Sequence, residues 1–177
     1  MAQSLPAKIL IRDDLSNDQT QVIIDTYICA NPDRIRQLPH DGGSKGASSN
    51  FSRLLSAATA DYVLLADQDD VWDSDKIATT LAEMHRVEKL AGKTTPVLVH
   101  TDLRVVDQDL NLLSSSFFKF QGLDRKRLGL RDLLGQNVVT GCTAMLNRAL
   151  YRLASPIPKD AVMHDWWIAL IAAGFGR

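Results

Sequence analysis

The chain carries an apolar run, Tyr62 to Ala66, that leads directly into a dense group of aspartates. The members of that group are Asp67, Asp69, Asp70, Asp73 and Asp75. An uninterrupted apolar run of strand length predicts a β-strand that is covered on both faces, as in a parallel sheet. Carboxylates packed this closely repel one another unless a cation or a set of hydrogen-bond donors offsets their charge. We therefore expect a layered protein in which a cation or a set of hydrogen-bond donors lies at one end of a buried strand.

Strand-like and helix-like patterns alternate along the rest of the chain. A short β-rich run precedes Arg12, and further strands are predicted at residues 35–38, 97–99 and 137–146. Apolar residues at helical spacing lie between them, and a last helix is predicted to begin at His164. This alternation predicts an α/β fold, with a mainly parallel sheet and helices on both of its faces. Ligands of such sheets bind outside the carboxyl ends of the strands.

Acidic residues follow three of the predicted strands at that position. They are Asp13 and Asp14, then Asp67 to Asp70, and then Asp102. Asp67 and Asp69 are two residues apart, so an extended backbone would point both side chains to the same side. Oxygen ligands suit Mg²⁺ or Mn²⁺, and Mg²⁺ is commonly bound by one or two carboxylates together with substrate phosphates. The spacing predicts a site where Asp67 and Asp69 hold a metal-bound diphosphate.

Other kinds of metal site do not fit the spacing. An EF-hand loop that started at Asp67 would need Gly at its sixth position and Glu at its twelfth, where the chain has Trp72 and Thr79. Zinc is not expected, because the histidines are scattered and no pair of cysteines is close in sequence. Asp73 and Asp75 are interpreted as residues at the start of a helix, where the helix dipole favours negative charge.

Composition excludes several classes of function. A net charge of −1, from 20 basic and 21 acidic residues, gives no bulk field that would draw the chain to nucleic acid. Cys29 and Cys142 are expected to be free, buried thiols in a reducing compartment. No apolar run approaches the ~20 residues that cross a bilayer, and the first residues lack a signal-peptide pattern. We expect one domain of 177 residues in the cytoplasm, either free or peripheral at the inner face of the membrane.

Six ordered motifs along nearly the whole chain resemble those of glycosyltransferase family 2. They are IRDDLS, GGSKGASSNF, DQDDVW, LVHTDLRVVD, QNVVTGCTAM and MHDWWIAL. The resemblance is strongest to the bacterial rhamnosyltransferase-type branch. It implies the GT-A fold, with a Rossmann-like sheet. It also implies that a sugar is transferred with inversion, and likeness to the subfamily suggests that this sugar is L-rhamnose. The implied donor is a dTDP- or UDP-sugar, and the implied acceptor is a saccharide or a lipid-linked saccharide in cell-surface polysaccharide synthesis.

The resemblance also assigns residues to the nucleotide side of the site. Asp13 and Asp14 match the acidic pair that ends the family's second strand, where one carboxylate contacts the nucleoside. Lys45 and Asn50 match the loop and helix start that border the nucleotide pocket. Asp67 and Asp69 match the D-x-D pair that holds ribose, metal and diphosphate, so Mn²⁺ or Mg²⁺ is the implied cofactor.

On the acceptor side, the resemblance assigns a base. Asp102 matches a polar strand end that faces the sugar, and Asp165 matches the catalytic base. The chain has His164 before Asp165, where many relatives have Glu. Taken by itself, an Asp just before Trp166 is equally typical of an ordinary helix N-cap, and both roles are compatible. A single displacement at the anomeric carbon is implied, with the base removing the proton of the acceptor hydroxyl.

The chain also departs from the family pattern. The apolar strand and turn that hold the nucleobase in relatives have no counterpart before Ile9, and the chain ends close to Phe175. We therefore expect a partial GT-A domain over residues 1–177, with a sheet that lacks its first strand and with weak or absent activity. The alternative is a non-catalytic nucleotide- or glycan-binding module with the same fold. A nucleotidyltransferase would need a Gly-rich basic phosphate loop near the N-terminus, which the chain lacks.

Overall fold

A computed structural model describes residues 3–42 and 46–177. The strands among these residues are β1 (Ile9–Ile11), β2 (Ile35–Gln37), β3 (Tyr62–Leu64), β4 (Leu98–His100), β5 (Val105–Val106), β6 (Leu112–Ser114) and β7 (Ala144–Asn147). The helices are α1 (Thr20–Ala30), α2 (Ala47–Ala57), α3 (Lys76–Ala91), α4 (Phe117–Phe120), α5 (Leu130–Gly135), α6 (Arg148–Ala154) and α7 (His164–Phe175). The predicted α/β class is confirmed, and the last helix begins at the predicted residue, His164.

The first β-α-β unit is built as the sequence predicts. Strands β1 and β2 pair in parallel, with Ile9 opposite Ile35 and Ile11 opposite Gln37. Helix α1 connects them, and it places Ile24 in the interior. The carboxyl end of β1 leads to Asp13 and Asp14, so the first acidic pair lies at the predicted edge.

The central sheet has the strand order β3-β7-β4, and its pairing corrects the prediction of a mainly parallel sheet. Strand β7 is antiparallel to both neighbours, with Met145 opposite Leu64 on one side and Val99 on the other. Strands β3 and β4 point the same way but do not pair. An apolar run that is covered on both faces carries no signal of strand direction, which is why the sequence pattern missed this reversal. The predicted strand at residues 137–146 is also wrong in extent, since a 3-10 turn, Gly141–Thr143, precedes β7.

Both faces of this sheet are covered, as predicted. Successive residues of a strand point to opposite faces. Met145 therefore packs with Met84 of α3, whereas Leu146 packs in a larger cluster with α6 and α7. Leu150 and Tyr151 of α6 are fully buried in that larger cluster. The rigid sheet between two helical layers positions the loops that follow β3 and precede β7.

Asn147 ties the layers together at the end of β7. Its side-chain amide donates to the Glu88 carboxylate at 3.0 Å and to the Thr95 carbonyl at 2.9 Å. Its side-chain oxygen accepts from the backbone of Val97 at 2.9 Å and from that of Leu150 at 3.0 Å, the second bond capping α6. Asn147 is only 1% exposed, so these bonds satisfy a fully buried amide.

The segment between β4 and β7 forms a lobe of short elements. Strands β5 and β6 pair as an antiparallel hairpin, α4 follows, and α5 packs against α7. Among the described residues, no helix is both long and apolar enough to cross a membrane.

Candidate active site

The aspartates that follow β3 lie on a turn. Strand β3 ends at Leu64, and a turn at Gln68 and Asp69 brings Asp67 and Asp70 together, three residues apart. One carboxylate oxygen of each lies within 4.8 Å of the other and of Cys142 Sγ. The prediction paired Asp67 with Asp69 because it assumed an extended backbone, whereas the turn also brings Asp70 beside Asp67. The assignment of Asp69 as a ligand stays a prediction.

The carboxylates of this group repel one another, and this repulsion affects the pKa of Asp67. Burial, and then the charges of Asp70, Asp69 and Asp165, raise the pKa of Asp67. Burial and a hydrogen bond to Asp70 raise the pKa of the Cys142 thiol to about 12, so the thiol donates to that carboxylate. Asp67 and Asp70 are exposed to solvent and lie beside the buried Cys142, and a divalent cation would relieve the repulsion between the two carboxylates.

Lys76 lies beside the group at the start of α3. Burial lowers the pKa of its ammonium, and Cys142, Asp70 and Asp73 partly offset that effect. Its Nζ lies 5.0 Å from the centre of the Trp72 ring, a distance that permits a cation–π contact. Asp73 pairs with Arg104 at 2.5 Å, so Asp73 has a structural partner.

Asp165 is held in the first turn of α7. Its Oδ2 accepts from the backbone N–H of Gly141 at 3.0 Å. Its Oδ1 accepts from the backbone of Trp166 at 2.6 Å and from Asn137 Nδ2 at 3.3 Å. Gly141 precedes Cys142, whose Sγ lies within 4.8 Å of carboxylate oxygens of Asp67 and Asp70, so the chain brings the predicted base to the same part of the fold as those carboxylates.

Gly141 allows this close approach. A Cβ atom at Gly141 would lie 3.0 Å from His164 Nε2 and 3.5 Å from Asp165 Cβ, so a larger residue here would push against the start of α7. His164 is 4% exposed, stacks on Phe51 of α2 with ring centroids 4.1 Å apart, and has no hydrogen-bond partner at either ring nitrogen. Burial lowers the pKa of His164, so the ring is neutral near pH 7.

The two tryptophans after Asp165 both have hydrogen-bond partners. Trp166 Nε1 donates to the Leu133 carbonyl of α5 at 2.6 Å, and Trp167 Nε1 donates to the Ala154 carbonyl of α6 at 2.9 Å. Trp167 also packs against the larger core cluster. Trp166 therefore joins the Asp165 turn to the lobe that contains α5.

A second polar cluster forms around Arg12, at the carboxyl end of β1. The buried Arg12 guanidinium contacts the Asn50 side-chain oxygen, and it donates to Asp41 at 2.9 Å. Asp14 accepts from the backbone N–H of Gly46 at 2.6 Å, and its other oxygen lies 3.4 Å from His40 Nε2. The structure thus brings together two of the predicted nucleotide-side residues, Asp14 and Asn50, around a buried cation that the sequence reasoning did not single out.

Two further predicted residues make mainly local contacts. Asp13 accepts from the backbone and hydroxyl of Ser16, at 2.9 and 2.5 Å, and these bonds outweigh the effect of burial and lower its pKa. Asp102 accepts from the Ser116 hydroxyl at 2.5 Å and from the backbone of Leu103 and Phe117, both at 2.9 Å. Burial raises the pKa of Asp102, but those bonds outweigh it and lower the pKa overall. Asp102 thereby holds the start of α4.

Lys45 lies outside the described residues. The sequence reasoning also missed Asp70, Cys142 and Lys76 as members of the acidic site. Asp70 was visible in the DQDD run, whereas Cys142 comes from a segment 72 positions later and no local pattern connects the two. The predicted roles of Asp67, Asp69, Asp102 and Asp165 in binding and catalysis stay predictions.

A sheet between two helical layers, with carboxylates that follow its strand ends, is the arrangement in which α/β proteins bind their ligands. The model of the family described as Glycosyl transferase family 2 matches residues 2–153, and the chain belongs to that family. This confirms the resemblance on which the sequence analysis relied.

Known proteins with similar sequences give the same family. The chain is 38% identical over 76 residues to the dTDP-rhamnosyl transferase RfbG of Shigella flexneri, which covers 41% of this chain and 26% of that protein. It is 28% identical over 167 residues to uncharacterized proteins of Mycobacterium bovis and Mycobacterium tuberculosis, covering 92% of this chain and 44% of theirs. The chain thus spans less than half the length of these relatives.

A solved structure has the same fold. It is the mannosyltransferase PcManGT of Pyrobaculum calidifontis, in complex with GDP-Man and Mn²⁺. The TM-score is 0.67 at 20% sequence identity, and the match covers 99% of this chain and 46% of that one. The GT-A fold predicted from the sequence is confirmed.

Proposed function

We propose that the chain binds a nucleoside-diphosphate sugar at the carboxyl ends of β1 and β3 and transfers the sugar with inversion. The observation that carries the proposal is geometric: Asp165 accepts from the N–H of Gly141, and the next residue, Cys142, has its Sγ within 4.8 Å of carboxylate oxygens of Asp67 and Asp70. A base and a diphosphate-binding group must share one site in a single-displacement transferase.

The acidic group fits a divalent cation. Asp67 and Asp70 offer carboxylate oxygens within 4.8 Å of each other, and hard oxygen ligands of this kind suit Mn²⁺ or Mg²⁺. When bound there, such an ion would neutralise negative charge on the leaving diphosphate. Cys142 keeps its proton and orients Asp70 by donating to it. The fold neighbour, which was solved with GDP-Man and Mn²⁺, supports a metal of this type.

Asp165 acts as the base in this proposal. The Gly141 N–H and the Trp166 N–H fix its two oxygens, so the carboxylate keeps one orientation while its remaining lone pairs stay available. In that orientation it takes the proton from the acceptor hydroxyl as the bond to the anomeric carbon forms.

The Arg12 cluster takes the nucleoside in this proposal. Asp14 and Asn50 are fixed by Gly46 and Arg12, and a fixed polar rim of this kind favours one orientation of a base and ribose. Asp13, Lys45 and Asp102 are proposed to border the same donor pocket, as the family resemblance implies.

The donor sugar proposed is L-rhamnose from a dTDP- or UDP-sugar, and the acceptor proposed is a saccharide, free or lipid-linked, in bacterial surface polysaccharide synthesis. Support for rhamnose comes from the partial match to a dTDP-rhamnosyl transferase. We place the protein in the cytoplasm or at the inner face of the membrane.

The test is calorimetry with dTDP and UDP, with and without Mn²⁺, followed by a transfer assay with dTDP-rhamnose and a rhamnose-containing acceptor. Asp67→Ala should abolish the Mn²⁺-dependent part of nucleotide binding, because the ion loses a carboxylate. Asp165→Asn should keep nucleotide binding and lower turnover by at least about 100-fold, since the amide cannot take a proton. Asp160→Ala is the matched control, because Asp160 is also an exposed carboxylate in a loop.

The outcomes separate the enzyme from the alternative. Nucleotide binding that is indifferent to Mn²⁺ and to Asp67→Ala would overturn the metal site. Metal-dependent binding with no transfer by the unaltered chain would favour the non-catalytic module.

A further inference from the structure

The lobe whose helix α5 packs against α7 contains a segment that is rich in basic residues and in exposed apolar residues. Residues 119–134 contain the basic residues Lys119, Arg125, Lys126, Arg127 and Arg131 and the acidic residues Asp124 and Asp132, a net charge of +3. The whole chain has a net charge of −1, so this short segment has the opposite sign to the rest. Positive charge concentrated on one segment of an acidic chain indicates a negatively charged partner.

Apolar side chains on the same segment are exposed to solvent. Leu130 and Leu134 are 43% and 67% exposed, and they lie four residues apart on α5, so they share one face of the helix. Leu128 is 42% exposed and Phe120 is 55% exposed. Leu133 points the other way and is 2% exposed, so it anchors the helix while its neighbours remain outside.

The cations of this surface are largely unpaired. Arg127 pairs with Asp132 at 2.9 Å. Within the part of the chain that the structure describes, Arg125, Lys126 and Arg131 have no ion-pair partner. Arg125 and Lys119 also line an open cavity of about 500 Å³, where the carboxylates of Asp102 and Asp124 balance their charge, so the cations outside this cavity carry the net positive charge of the segment.

The position of this surface relative to the base gives it a role. Trp166, the residue after Asp165, donates from its indole to the Leu133 carbonyl at 2.6 Å. The face with Leu130 and Leu134 is thus fastened to the turn that carries the proposed base. A partner that binds this face would be held next to the acceptor side of the site.

We propose that this basic and apolar surface, residues 119–134, docks the protein on an anionic lipid bilayer. Leucines and a phenylalanine enter the interfacial region while the arginines and lysines contact lipid phosphates, which is the combination that binds peripheral proteins to anionic membranes. A lipid bilayer satisfies both features of the surface at once, whereas a purely acidic partner would leave the exposed leucines unburied. The link to a lipid-linked acceptor rests on the proposed function, but the membrane contact itself does not.

The experiment is co-sedimentation of the full chain with vesicles of phosphatidylglycerol and phosphatidylcholine, compared with vesicles of phosphatidylcholine alone. The unaltered chain should bind only the anionic vesicles, and high salt should release it. Arg125→Ala, Lys126→Ala and Arg131→Ala together should weaken binding on the order of 100-fold, since each cation near the surface contributes roughly fivefold. Leu130→Ser with Leu134→Ser should also weaken binding, through lost insertion.

A matched control uses the same residue types elsewhere. Lys89→Ala, Leu90→Ser and Lys93→Ala change two exposed cations and one exposed leucine at the end of α3, and they should leave vesicle binding unchanged. If the triple arginine–lysine variant binds as the unaltered chain does, or if the control loses as much, the proposal is overturned. It is also overturned if the unaltered chain ignores anionic vesicles, or if the surface variants instead dissociate a dimer in vesicle-free sedimentation. Nucleotide binding, measured in parallel on the Leu130→Ser with Leu134→Ser variant, tests the proposed function separately, because Arg125 shares a cavity with Asp102 and these leucines do not line it.

Discussion

The buried side chain of Asn147 offers a sharp test of how the layers are held. In Asn147→Ala, the cap of α6 is lost, a loss that typically costs about 1 kcal/mol. The backbone N–H of Val97, the carbonyl of Thr95 and the carboxylate of Glu88 each lose a partner in the interior. At about 1 kcal/mol for each of these orphaned groups, the low end of the usual range, the free energy of unfolding should fall by about 4 kcal/mol.

Urea denaturation measures this change. With a slope of about 2 kcal/mol per molar urea, a loss of about 4 kcal/mol moves the midpoint down by about 2 M. Asn111→Ala is the matched control, because Asn111 is exposed and its side chain bonds only to Asp107 at 3.0 Å. The control should lose less than about 1 kcal/mol. A shift for Asn147→Ala no larger than that of the control would refute the reasoning.

Three further predictions concern the site. Burial and neighbouring carboxylates raise the pKa of Asp67, so its ionised form destabilises the fold above pH 3.8. Asp67→Asn should therefore raise the urea midpoint at pH 7. This gain should shrink as the pH falls towards 3.8. An equal gain at every pH would contradict this. The pKa of Cys142 is raised to about 12, so about one molecule in 10⁴ carries the Cys142 thiolate at pH 8. A thiol reagent should therefore quickly modify one thiol per chain, the exposed Cys29, and should modify Cys142 only when the protein unfolds. Two fast equivalents would disprove the burial of Cys142. His164→Phe should stabilise the fold by about 1 kcal/mol, because it removes two unpaired buried nitrogens and keeps the stack on Phe51. Because burial lowers the pKa of His164, the unaltered chain should also lose stability as the pH falls below 6.5. The His164→Phe variant should lack that part of the loss. Identical pH profiles of stability for the two proteins would contradict this prediction.

Local patterns predicted most of what local physics determines. The strand at Tyr62 and the helix that begins at His164 both follow from apolar patterns in the sequence. The acidic strand ends were also visible as a recurring pattern, and they led to the family that the comparison confirms.

What the sequence did not reveal depends on contacts between distant segments. The antiparallel insertion of β7 was missed because buried strands look alike in either direction. The pairing of Asp67 with Asp70 depends on a turn that no glycine or proline announces, and the approach of Cys142 depends on the path of the whole chain. Arg12 was overlooked because a single arginine beside two aspartates reads as a surface ion pair, whereas here its guanidinium is buried.

The place of β7 between β3 and β4 has a consequence for how the chain acquires its structure. Neither outer strand finds its hydrogen-bonding neighbour until residue 147 has been made, although Tyr62 is synthesised 85 positions earlier. A nascent chain therefore carries two open backbone edges through most of synthesis, and contacts of such long range make folding slow. We expect the central sheet to assemble in one late step, so that ribosome-bound chains which stop short of β7 remain sensitive to protease and those that extend past α6 become resistant.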